Sequence, residues 1–210
     1  MTGNEIIRNR LSEAGLCPPD DEISRLSSYV DLLARWNHTI NLTALRVDPL
    51  TPQAVDRLIV EPAAAAGILA SMNQGGLWFD FGSGGGSPAI PLKILGVGSP
   101  LHLVEARSRK AAFLRRALDE LGMKDATVEC CRLESLQNTN YIGLVGLITV
   151  RAVAMGEAAC ASAVKLLGEH GVLGLFSSAG EETALAGFRR VSSHKLSPAS
   201  ASLEIYQPSR

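Results

Sequence analysis

From Leu77 onward the sequence alternates short apolar runs with helical stretches, and this alternation constrains the fold more than any other feature of the chain. "LWFDF" precedes a helical stretch over 88–95, "LHLVE" one over 108–121 and "LVGLITV" one over 157–168. "ATVECC" leads into a short irregular stretch, and "GVLGLF" and "SLEIYQ" read as late strands. A strand that reaches its neighbour through a helix builds a parallel sheet covered on its faces. The expected fold is therefore α/β with a mostly parallel sheet. The helix over 108–121 has firm local support: Leu114, Ala117, Leu118 and Leu121 share a face, and Gly122 follows as an αL cap.

Ahead of the sheet, residues 4–16 and 21–37 read as helices. In the second, Ile23, Leu26, Val30 and Leu33 recur at helical spacing, with Tyr29, Leu32 and Trp36 widening the stripe. Residues 38–53, rich in Asn, Thr and Pro, read as a loop, and a further helix is expected from about Pro52 to Met72. The predicted organisation is a small helical N-terminal extension over 1–72 and a core over 73–210, with no internal repeat or linker.

Composition excludes several function classes. At 46% hydrophobic and 20% charged residues over 210 positions, the chain can bury a sizeable core. With 20 basic and 21 acidic side chains the net charge is −1, so any contact with nucleic acid rests on a local patch. The start "MTGNEIIRNR" has no apolar targeting segment and no run of about 18 apolar residues follows, so no membrane partner and a cytoplasmic location are expected. Cys17, Cys130, Cys131 and Cys160 form no Cys-x-x-Cys pair and read as reduced, mostly buried thiols; the four histidines show no ligand spacing, and no metal is expected.

Ligands of a doubly wound sheet bind at the carboxyl ends of the strands, which directs attention to the turn "DFGSGGGS" after the first core strand. Asp80 stands two residues before Gly82, and Gly84 follows. A dinucleotide fingerprint starting at Gly82 requires glycine at position 87, where Ser87 stands. A phosphate loop requires Gly-Lys-Ser/Thr, but Ser87, Pro88 and Ala89 follow the glycines. A helix beginning at Ser87, with Pro88 in its first turn, fits instead. Glu105 ends the next strand 25 residues after Asp80, where a carboxylate accepts hydrogen bonds from ribose hydroxyls. Glu105 suits NAD and S-adenosylmethionine alike. Asp80 favours S-adenosylmethionine, whose ammonium and sulfonium sit better beside a carboxylate than a pyrophosphate does.

Other stretches join the turn in order: "WNHTINLT" at 36–43, "LVEARSRKAAFLRRA" at 103–117, "RLE" at 132–134 and "VRAVA" at 150–154. With them the chain resembles the glucose-inhibited division protein B family, S-adenosylmethionine-dependent methyltransferases acting on guanine N7 of 16S ribosomal RNA in the small ribosomal subunit. The resemblance implies a Rossmann-like class I methyltransferase sheet with a helical N-terminal extension, and ribosomal RNA or the small subunit as partner. It places cofactor contacts on Gly82 and Ser87, on Leu133 and Glu134 after "ATVECC", and on Arg151. Asp80, Gly84 and Glu105 join them from the residue pattern, and no catalytic residue is assigned. The chain departs from the family where a His-x-x-Asp-Ser element is usual and Arg57, Val60 and Glu61 stand. Ser87 replaces a large apolar residue, Ala89 a glycine, and Ala179 the lysine of a Lys-Gly pair completed by Gly180. These departures keep open a methyltransferase of the same fold with another substrate, and a catalytically silent module docking on RNA or ribosome.

Two groups of residues carry both a functional and a structural reading. Arg107, Arg109, Lys110, Arg115 and Arg116 suit RNA phosphates or the solvated face of an amphipathic helix. Asn37 and Asn41 suit nucleotide contacts or capping. Trp36 reads as a packing residue.

Overall fold

The structure, a computed structural model, describes residues 2–72, 75–178, 183–196 and 201–209. In chain order, α1 (Gly3–Glu13) and α2 (Asp20–Asn37) precede a loop, and α3 (Pro52–Val55) runs through a π-helical turn (Asp56–Val60) into α4 (Glu61–Met72). Then come β1 (Leu77–Phe81), α5 (Ala89–Ile94), β2 (Leu101–Val104), α6 (Ser108–Glu120) and β3 (Ala126–Glu129). A 3-10 turn (Leu133–Asn138), β4 (Val145–Arg151), α7 (Glu157–Leu166), β5 (Leu167–Ser178), β6 (Phe188–Lys195) and β7 (Ala201–Pro208) complete it.

The strands form a 7-stranded sheet in the order β3-β2-β1-β4-β5-β7-β6. β1 to β5 pair in parallel, while β7 is antiparallel to both β5 and β6. Strand order reverses direction between β1 and β4, which is the position where such sheets open a crevice for ligands.

Both faces of β1 are covered, and its alternation separates two cores. Trp78 joins a cluster with α1 to α6, whereas Phe79 and Phe81 join one with α7 and the 3-10 turn. The first cluster runs without a break from Ile7, Leu11 and Leu33 in the helical extension to Leu103 and Ile205 in the sheet. The stripe on α2 makes this possible: Ile23, Leu26, Val30 and Leu33 are all buried, each worth about 1.5–3 kcal/mol of transfer free energy. Trp36 packs edge-on against Phe113 of α6, with ring centroids 5.8 Å apart.

Local signals behave as physical chemistry demands, with some shifts. α1 starts at a capping box in which Thr2 and Glu5 satisfy each other's backbone N–H groups. It ends at Glu13, short of the expected 16. α6 ends as anticipated, with Gly122 at φ +64 and the Met123 N–H donating to Leu118 O at 2.9 Å. α5 begins at Ala89, with Pro88 as its N-cap and Pro91 inside it. β5 begins at Leu167, inside the stretch expected to be helical. β6 was not expected at all, because "FRRVSSHK" is an edge strand with mostly polar side chains and an irregularity between Arg190 and Ser192. The cysteines correct the expectation of mostly buried thiols: Cys160 is buried, Cys131 intermediate, and Cys17 and Cys130 are exposed. Short polar connections carry Cys17 and Cys130, so no core claims them.

Among the described residues no helix is long and apolar enough to cross a membrane, and no group of three or more His, Cys, Asp or Glu side chains comes together as a metal site.

Candidate functional site

Asp80 lies on the same face of β1 as Trp78, because side chains two apart in a strand point the same way. Thr149 of β4 is its register partner. The Trp78 indole N–H donates to Thr149 Oγ1 at 3.0 Å, and Thr149 Oγ1 donates to Asp80 Oδ1 at 2.6 Å. Asp80 is 1% exposed, and its second oxygen, Oδ2, is buried with no hydrogen-bond partner among the described residues. Burial lifts the Asp80 carboxyl to about 6, against the opposing pull of the Thr149 and Ser83 hydrogen bonds and the Arg151 charge. A buried acceptor without a donor is costly by about 1–3 kcal/mol and marks a place where a ligand donor fits.

The turn that follows folds back on its own strand ends. Ser83 N–H donates to Val104 O at 3.0 Å and Ser83 Oγ to Asp80 O at 2.9 Å. Glu105 grips the turn: Oε2 accepts the Gly84 N–H at 3.0 Å, and Oε1 accepts the Arg107 N–H at 2.8 Å at the start of α6. Each carboxylate oxygen keeps a further lone pair, so Glu105 shapes the turn and retains acceptor capacity. Gly82 and Gly84 adopt φ +69 and +54. A Cβ on Gly82 would come within 2.3 Å of Val153 Cγ2, so packing against the loop after β4 demands this glycine, rather than backbone approach to a ligand alone. A Cβ on Gly84 would meet nothing closer than Gly82 O at 3.6 Å. The helical extension closes the turn from above, since the buried Tyr29 hydroxyl donates to Gly85 O at 2.7 Å.

Arg151 ends β4 beside the turn, with its side chain only 7% exposed. Its Nη1 donates to Arg57 O at 2.6 Å and to Ser87 Oγ at 3.1 Å, and its Nη2 donates to Glu61 Oε2 at 3.0 Å. Phe176 of β5 lies under the guanidinium, 4.6 Å from the ring centroid. Burial lowers Arg151 to about 10, with Glu61 opposing, so the group stays protonated at neutral pH. Arg57 Nη1 reaches the same Glu61 oxygen at 2.8 Å. The π-helical turn between α3 and α4 carries Arg57 and delivers Glu61 to this position; such turns are frequent at functional sites. Ser87 completes the join, its hydroxyl donating to Leu58 O at 3.1 Å.

These elements enclose a cavity of about 260 Å³, whose lining includes Gly82, Gly84, Ser87, Arg57, Lys110 and Arg151. The structure thus brings Gly82, Gly84, Ser87 and Arg151 together, with Asp80 and Glu105 beneath the turn. Leu133 and Glu134 sit on the 3-10 turn after β3 and do not line this cavity; Leu133 is half-buried and Glu134 exposed. A larger cleft of about 780 Å³ lies between α1, α2 and the end of α6, and contains none of these residues. The smaller cavity is the candidate site, because the glycine turn and Arg151, whose buried Nε has no partner among the described residues, line it at the strand-order reversal, next to the strand that carries the orphaned Asp80 oxygen.

Asn37 has a structural role: its Oδ1 accepts the Leu42 and Thr43 N–H groups at 2.9 and 3.0 Å, fixing the loop beside the cavity. Asn41 is exposed and lines a groove with Arg107, Arg109 and Lys110. Arg116 pairs with Glu120 on the solvated face of α6. Sequence reasoning missed Tyr29 and Thr149 as supports of the site and the joint role of Arg57 and Glu61. Only the register of β4 against β1 could have pointed to Thr149. Ala179 and Gly180 lie outside the described residues.

Residues 22–200 match the protein family described as GidB, rRNA small subunit methyltransferase G. Curated proteins named ribosomal RNA small subunit methyltransferase G are similar over long segments. One from Stenotrophomonas maltophilia is 39% identical over 144 residues, covering 67% of this chain and 59% of that protein. One from Neisseria meningitidis is 34% identical over 155 residues, covering 73% and 70%. The chain thus spans less than two thirds of the Stenotrophomonas relative. Among solved structures, a SAM-dependent methyltransferase from Aquifex aeolicus superposes with a TM-score of 0.57 at 14% identity, over 72% of this chain and 92% of that one. TrmN from Thermus thermophilus gives 0.53 at 17% identity, over 70% and 48%. At these identities the likeness speaks for the Rossmann-like class I methyltransferase fold.

Proposed function

The chain belongs to the rRNA small subunit methyltransferase G family, and from that premise we propose that it methylates guanine N7 in 16S ribosomal RNA with S-adenosylmethionine as donor. The observation that carries the reading is the Asp80 carboxylate, buried at the strand-order reversal two residues before Gly82, with Oδ2 unpartnered among the described residues. An amino-acid ammonium supplies the donor that Oδ2 lacks. Gly82, Gly84 and Ser87 form the wall against which the methionine part packs, Glu105 offers its remaining lone pairs to ribose hydroxyls, and Arg151 faces the ligand carboxylate. Leu133 and Glu134, at the next strand end, are assigned to the adenine.

When bound, S-adenosylmethionine supplies an electrophilic methyl group on a sulfonium. Guanine N7 presents an in-plane lone pair and needs no deprotonation, so the residues of this chain have to align and desolvate rather than abstract a proton. No nucleophile or general base is therefore assigned among the described residues. An RNA substrate places the protein in the cytoplasm with the ribosome, and the small subunit or its RNA is the partner.

Transfer of labelled methyl from the donor into small subunits, naked 16S RNA and bulk protein tests the reading. Incorporation at a guanine of the RNA is expected. Label in protein or in another RNA points to a different substrate, which the Arg57, Val60 and Glu61 positions leave room for, and tight donor binding without incorporation leaves a silent docking module.

A further inference from the structure

The donor cavity is lined by Arg57, Lys110 and Arg151 and by no Asp or Glu among the described residues. S-adenosylmethionine carries a net positive charge at neutral pH, and its single carboxylate engages one cation. The other cations face a ligand that repels them. Of the three, Arg151 is buried, its Nη1 and Nη2 are held by fixed partners and its Nε has none among the described residues, so it is the cation left for the ligand carboxylate. Arg57 and Lys110 are different: the Arg57 side chain is 34% exposed and only its Nη1 is engaged, and Lys110 forms no hydrogen bond or ion pair among the described residues. Lys110 also lines an adjoining groove of about 580 Å³ with Arg107 and Arg109, so positive charge continues out of the cavity along the start of α6.

We propose that Arg57 and Lys110 form a phosphate clamp that seats the backbone phosphate of the target nucleotide over the donor, with the RNA strand leaving along Arg107 and Arg109. The inference rests on the RNA reading above and names the residues that hold the RNA. Glu61 is the positioning residue: by holding Nη1 of Arg57 at 2.8 Å it spares the guanidinium's rotamer entropy and leaves Nε and Nη2 for bidentate phosphate contact. Guanine N7 lies in the plane of the base, so fixing the phosphate of the same nucleotide limits how the base swings toward the methyl group.

Arg57→Gln, Lys110→Gln, the double variant and Arg57→Lys test the clamp against the unaltered protein. Donor affinity is read by calorimetry, and affinity for a 16S RNA fragment is read across a salt series. Neutralising either jaw leaves donor affinity within about twofold or improves it, because repulsion is relieved. Each single variant lowers the slope of log K against log salt by about 1, and the double by about 2. KM for RNA rises roughly tenfold per jaw, and Arg57→Lys recovers the salt slope but not all of the KM. Tenfold loss of donor affinity in the single variants, or an unchanged salt slope, overturns the clamp. Lys110→Gln touches no fixed partner, so its result stands even where Arg57→Gln folds poorly. RNA binding with the expected slopes but no methyl transfer by the unaltered protein defeats the RNA methyltransferase reading and leaves the clamp; absence of RNA binding defeats both.

Discussion

Glu61 holds Arg151 at 3.0 Å across 90 positions of sequence, joining the start of α4 to the end of β4. Both side chains are nearly buried, 10% and 7% exposed. Burial raises the Glu61 pKa and the two guanidiniums pull it back. Breaking a buried ion pair from one side leaves an uncompensated charge, at a cost of about 3–5 kcal/mol. Glu61→Ala is therefore expected to lose that much unfolding free energy in urea denaturation, and Glu61→Gln, which keeps an acceptor, distinctly less. A loss under about 1 kcal/mol for Glu61→Ala would show that water replaces the carboxylate.

Asp80, as the proposed partner of the donor's ammonium, is expected to make donor binding depend on pH. Its folded pKa of about 6 lies above the ordinary 3.8, so the folded apoprotein holds a proton that the unfolded chain has released. Stability therefore falls as pH rises from about 4 to 6, and Asp80→Asn removes this slope. A cationic ligand needs the ionised carboxylate, so donor affinity falls as pH drops below about 6, by up to roughly tenfold per unit. Calorimetry between pH 5 and 8 checks this, and a flat profile in the unaltered protein would detach Asp80 from the ligand ammonium.

Gly82 and Gly84 separate packing from binding. Gly82→Ala drives Cβ into Val153 at a positive φ and is expected to cost more than about 2 kcal/mol of stability. Gly84→Ala meets open space and is expected to cost about 1 kcal/mol for its φ while weakening the donor by more than that. Gly82→Arg is expected to abolish donor binding and, by the same clash with Val153, to destabilise the fold. Thermal melting with and without donor distinguishes the outcomes, and equal donor shifts in Gly84→Ala and the unaltered protein would remove Gly84 from the site.

Tyr29 couples the helical extension to the turn. Tyr29→Phe leaves Gly85 O without its 2.7 Å donor and is expected to cost about 1–3 kcal/mol. Donor affinity is expected to drop with it, since Gly85 lies in the turn proposed to contact the donor. Unchanged affinity would mean that the turn holds its shape through Glu105 and Ser83 alone.

Residue spacing was enough for the parallel strands, the α2 stripe and the Gly122 cap, because each depends on neighbours within a few positions. The positions of Asp80, Gly82 and Glu105 at a strand end or turn were equally accessible from chain direction, and Arg151 from the resemblance to the family. β6 escaped notice because an edge strand needs no apolar alternation, and the roles of Arg57 and Glu61 because a π-helical turn sets which way they face. By itself the sequence determined the α/β order of elements and the family, both written in local periodicity and ordered motifs. Only the tertiary structure decided that Thr149 ties Trp78 to Asp80, that Val153 already forbids a side chain at Gly82, and that two arginines share one carboxylate beside the cavity. Those are contacts between residues 4 to about 90 positions apart, and distance in space, which local pattern does not encode, sets their energy.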